Sequence, residues 1–102
     1  MFSSPQKNAD PLTHALRLEA GRWLKERREA VGLSQREFAG KIGVDYYTFV
    51  SQIENGRGRI PPDKYKVWAD ALEIDVRDLV MTLFPFYDPL TAAILFPEPV
   101  QP

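Results

Sequence analysis

The chain has no cysteine, a single histidine and no apolar run near the length of a membrane span. Without cysteine there are no disulfides, no thiolate nucleophile and no sulfur-ligated metal. The lone His14 has no neighbouring ligand partner in the sequence and reads as a surface residue rather than as a metal ligand or a base. No nucleophile-plus-base arrangement and no glycine-rich phosphate loop occurs, so neither enzymatic chemistry nor a cofactor is expected. The opening "MFSSPQKNADP" lacks the apolar stretch of a signal peptide. A cytoplasmic location without a membrane partner is the expectation.

What remains is an ordinary globular composition over 102 residues, 44% apolar and 26% charged, enough for one compact core. The net charge of −1 hides a division. Residues 21–66 carry ten Lys or Arg against six acids, whereas residues 67–102 carry Arg77 alone against six acids. A cationic face is therefore available despite the low overall charge. Five of the nine prolines crowd residues 85–102.

Apolar spacing predicts five short helices and an all-α fold. A polar tail, 1–9, precedes Asp10-Pro11, which starts a first helix ending at Gly32. Its stripe is Ala20, Trp23, Leu24 and Val31, with Arg27 as a flaw. Ser34 opens the second helix and forms a capping box with Glu37; Phe38, Ala39 and Ile42 face inward, and Gly43 ends it. The third is expected from Tyr46 to Asn55, capped by Asp45 and stopped by Gly56. Tyr46, Phe49, Val50 and Ile53 share its inner side; Tyr47, Thr48, Ser51, Gln52 and Asn55 share the other. A fourth, from Pro62 to Glu73, turns Tyr65, Trp68, Ala69 and Leu72 inward. A fifth, capped by Asp75 with Asp78, is stopped by Pro85, and "AAILF" at 92–96 allows a strand.

Two short helices around a glycine turn form a helix-turn-helix arrangement. Its second helix would be free to enter a DNA major groove, where Thr48, Ser51, Gln52 and Asn55 exchange hydrogen bonds with base edges. Arg57 and Arg59 follow on a loop suited to phosphates. Periodicity alone fits a merely solvated face as well.

The residues Gly21, Leu24 and Arg28, "GLSQ" at 32–35, Phe38-Ala39, "IGV" at 42–44 and "VSQIENG" at 50–56 narrow the choice, with "WADAL" at 68–72 and "DVRDL" at 75–79. With them, residues 20–83 resemble the Cro/C1-type (XRE-like) helix-turn-helix regulators. The resemblance implies a five-helix, lambda-repressor-like DNA-binding domain, usually dimeric on a two-fold related operator, acting on transcription. It implies Gln35 at a phosphate, Tyr47, Thr48 and Gln52 at the base-reading positions, Asn55 on the backbone, and an ion pair of Arg28 with Glu54. Two departures stand out. One residue more separates Gly43 from Val50 than is usual in the family, which weakens the assignments from Asp45 to Thr48. Arg27 occupies a usually apolar place and could replace Arg28 as the partner of Glu54.

The division expected is a tail at 1–9, a DNA-binding domain at 10–84 and an apolar, proline-punctuated extension at 85–102. Leu83, Phe84, Phe86, Ile94, Leu95 and Phe96 either cover the protein's own core or form a dimer interface. The expected function is a homodimeric, sequence-specific regulator of double-stranded DNA, of the repressor kind. The alternatives are an antitoxin whose extension binds a toxin, and an interaction module that kept the fold but not the DNA.

Overall fold

The computed structural model describes residues 10–97; the tail 1–9 and residues 98–102 lie outside the described residues. Six α-helices and one 3-10 turn follow in order: α1 (Pro11–Ala30), α2 (Gln35–Ile42), α3 (Thr48–Glu54), the 3-10 turn Pro62–Lys64, α4 (Tyr65–Leu72), α5 (Val76–Tyr87) and α6 (Pro89–Leu95). There is no strand among the described residues.

The helix starts follow from local chemistry. Asp10 accepts a hydrogen bond from the Thr13 amide at 2.8 Å, with Pro11 behind it at a position where a missing N–H costs nothing. Ser34 and Glu37 form the reciprocal box, at 3.0 and 2.8 Å. The Asp75 carboxylate caps α5 through the Asp78 amide. Gly43 closes α2 in the left-handed conformation, φ 78°, which a residue with a Cβ adopts at a cost.

α1 is the spine, packed against α5 and α3, while α2 rests on α3 and α4. The core centres on Trp68, met edge-on by Phe38 at 4.9 Å and Phe49 at 6.4 Å, an arrangement that suits the charge distribution of aromatic rings. Leu24, Ile60, Leu72, Leu79 and Leu83 are fully buried around it, each contributing about 1.5–3 kcal/mol. α1 and α3 touch backbone to backbone at Gly21: a Cβ there would run into the carbonyl oxygens of Ile53 and Glu54.

Four expectations are corrected. α3 begins at Thr48, two residues later than expected, and its cap position Tyr47 has no side-chain cap bond; Asp45 does not cap it. Tyr46 therefore precedes the helix and is exposed instead of inward. Pro85 does not stop α5, which runs on to Tyr87, so the expected boundary at 84/85 falls inside a helix. The cost of an internal proline, about 3 kcal/mol, is offset by what lies beyond it. Tyr87 is buried, and its hydroxyl accepts from the Ile60 amide at 3.3 Å. Residues 92–96 are helix rather than strand through Leu95, with Pro89 at the first position of α6.

Candidate nucleic-acid interface

α3 is only two turns long, too short to be stable alone, and is held from below. Val50 and Ile53 bury in the core and Glu54 is buried with them. The Arg28 guanidinium reaches Glu54 with two nitrogens, Nε at 2.7 Å and Nη2 at 3.0 Å. Its Nη1 donates to the Leu33 carbonyl at 2.7 Å. Arg28, not Arg27, thus faces Glu54. The hydrogen bond with Glu54 holds the guanidinium above its ordinary range although burial pulls the other way.

The opposite face of α3 is open. Thr48, Gln52 and Asn55 are exposed, and Ser51 is half-buried with its hydroxyl accepting from the Asn55 amide nitrogen at 3.4 Å. Tyr46 is 75% exposed on the turn, whereas Tyr47 is 37% exposed with the Arg36 guanidinium 4.4 Å above its ring. A hollow of about 400 Å³ lies between the turn and α3, bordered by Val44, Asp45, Tyr46, Thr48, Phe49 and Gln52. Such a surface can exchange hydrogen bonds and apolar contacts with base edges.

The residues expected to hold phosphates are placed unequally. Arg57 is exposed, its backbone amide donating to the Gln52 carbonyl at 2.9 Å. Gln35 donates to Glu54 at 2.9 Å, bracing the ion pair. Arg59 turns inward: it donates to the Tyr65 hydroxyl at 2.7 Å and its guanidinium lies 4.5 Å over the Tyr87 ring. Burial pushes the Tyr87 hydroxyl above its usual range. This clasp ties the loop behind α3 to the end of α5. Its members are too distant in sequence for periodicity to show it, and the aromatic residues at the end of α5 are the only signal.

α5 and α6 form a bent hairpin. Leu83 is fully buried in the protein's own core, which corrects its expected place in an interface. Phe84 and Phe86 are half-buried, while Leu90, Ile94, Leu95 and Phe96 are exposed. No single helix among the described residues is long and apolar enough to cross a membrane, and α5 and α6 are bent by 115° at their junction.

A short helix fixed by its inner face, reached through a glycine turn and presenting a hydrogen-bonding outer face, defines a helix-turn-helix DNA-binding protein. The helix-turn-helix family model matches residues 24–79, more than half the chain, and the chain belongs to this family of Cro/C1-type, non-enzymatic transcriptional regulators. Among solved structures it is similar to the restriction-modification controller protein C.AhdI from Aeromonas hydrophila, with 33% identity and a TM-score of 0.58. The similarity covers 65% of this chain and 94% of that one. Comparison with curated proteins gave no match.

Proposed function

We infer that the protein is a sequence-specific repressor that binds double-stranded operator DNA as a homodimer, with α3 in the major groove. The observation that carries this reading is the division of α3. Its inner face is fixed by Val50, Ile53 and the Arg28–Glu54 pair, while Thr48, Gln52 and Asn55 stand exposed with no structural task of comparable weight. Gln52 and Thr48 read bases, and Arg57 supplies a phosphate contact. Arg59 reaches a phosphate only by leaving Tyr65 and Tyr87.

The dimer reading rests on α6. Between Leu79 and Pro97 the one charged residue is Asp88. The exposed parts of Met81, Leu90, Ile94, Leu95 and Phe96 amount to roughly 600 Å² per copy, so two facing copies would remove about 1,200 Å² from water, the lower edge of stable interfaces. The same face supports a second reading, in which a toxin covers it. The likeness to C.AhdI makes the genes of a restriction-modification locus the first regulated genes to test.

The experiment is affinity for a selected duplex and a scrambled one across a salt series. Gln52→Ala should cost about 1–3 kcal/mol on the selected site and blur one position. Arg57→Ala should weaken both duplexes alike and reduce the salt slope by about one unit. A parent protein that binds neither duplex in a salt-dependent way removes the regulator reading.

A further inference from the structure

The two adjacent tyrosines before α3 are set differently. Tyr47 leans back on α2 under the Arg36 guanidinium, beside a hollow of about 310 Å³ that it shares with Ala39, Gly40, Val44, Asp45 and Tyr46. Tyr46 is the most exposed aromatic residue among those described, and its hydroxyl makes no hydrogen bond there. Tyr46 also borders the second hollow, with Thr48 and Gln52, which Tyr47 does not reach. Tyr46, not Tyr47, thus shares a hollow with Thr48 and Gln52.

The lining of that hollow suits a particular group. Val44 and Phe49 are half-buried and apolar, the Tyr46 ring forms an aromatic wall, and Thr48 and Gln52 supply hydrogen-bonding groups at the edge. The Asp45 carboxylate at the border repels a phosphate but accepts from a base amino group. In a major groove the one apolar group on a base edge is the C5-methyl of thymine, and it lies beside hydrogen-bonding atoms of the same base pair.

We propose that Tyr46, with Val44 and Phe49, seats the C5-methyl group of a thymine, and that Tyr46 determines specificity at that base pair while Tyr47 stays on the protein's own surface. The proposal rests on α3 entering the major groove, and the test separates the two. A duplex selected from random DNA by the parent protein is remade with each thymine replaced singly by deoxyuridine, which removes only the methyl group. One position per half-site should lose about four-fold in affinity, the factor that corresponds to burying one methyl group. In Tyr46→Ala that position should become insensitive to the methyl group, whereas Tyr46→Phe and Tyr47→Ala should keep the parent's sensitivity. Because the Tyr46 ring is exposed, Tyr46→Ala should melt like the parent. Selection without a fixed thymine, no methyl-sensitive position in the parent, or a sensitivity that survives in Tyr46→Ala would each overturn the proposal while DNA reading by α3 stands. A parent protein that does not prefer its selected duplex over a scrambled one overturns both.

Discussion

Replacing Glu54 by alanine removes three acceptor contacts at once: from Arg28 Nε at 2.7 Å, Arg28 Nη2 at 3.0 Å and Gln35 Nε2 at 2.9 Å. What remains is an arginine whose side chain is 7% exposed, with the Leu33 carbonyl as its one other partner. Leaving one member of a buried pair uncompensated costs about 3–5 kcal/mol. A small domain has about 5–15 kcal/mol in all, so a fifth or more of the total would go. At roughly 4–8 °C per kcal/mol for a domain of this size, the melting midpoint should fall by more than about 12 °C. Thermal and urea unfolding followed by circular dichroism measure this directly. Glu54→Gln keeps an oxygen for Arg28 or Gln35 but not the charge, and should fall between parent and alanine variant. An alanine variant melting within two or three degrees of the parent (about half a kcal/mol) would show that the pair does not hold α3 to α1.

Leu90→Asp with Ile94→Asp places charges on the exposed face of α6 without touching the buried core. The paired variant should be a folded monomer by light scattering and circular dichroism, with a melting midpoint no longer dependent on protein concentration; an intact dimer would locate the interface elsewhere. Stability should fall in acid. Bonds from Ser34 hold the Glu37 carboxyl below its ordinary value, and bonds from Thr13 do the same for Asp10. A lowered folded value means the contribution is complete above the unfolded value and lost as pH falls through the folded one. Melting midpoints should therefore decline below about pH 4.5, and less steeply in Glu37→Gln. A parallel decline in that variant would place the acid sensitivity elsewhere.

The parts of this fold legible in the sequence are those decided within a few residues. Asp10-Pro11, Ser34 with Glu37, Gly43 and Asp75 with Asp78 each mark a boundary by chemistry between near neighbours, and the structure has those bonds. The structure departs from the sequence pattern where a helix boundary or a distant residue decides. Helical periodicity extended back from Val50 turns Tyr46 inward, but the helix begins at Thr48, so the wheel does not apply to Tyr46. Pro85 reads as a stop because nothing nearby announces that Tyr87 will be anchored by Ile60. Arg59 reads as a free cation on a glycine loop, since Tyr65 and Tyr87 meet it only after α4 and α5 have packed. The apolar run around Ile94 carries a strand-like composition, and Pro89 at a helix start is the local sign of α6.

The contact at Gly21 has a consequence for how such a protein can change. At the closest approach of α1 and α3 no side chain intervenes, only the Cα of Gly21 against the carbonyls of Ile53 and Glu54, so this one contact has no rotamers to adjust. The direction in which α3 points is set by main chain at one end and by an ion pair beside it. The outward residues Thr48, Gln52 and Asn55 take no part in that setting. Aim and content are therefore carried by different atoms: the outer face can be rewritten without re-aiming the helix, whereas even one methyl group at position 21 would press on the α3 main chain itself.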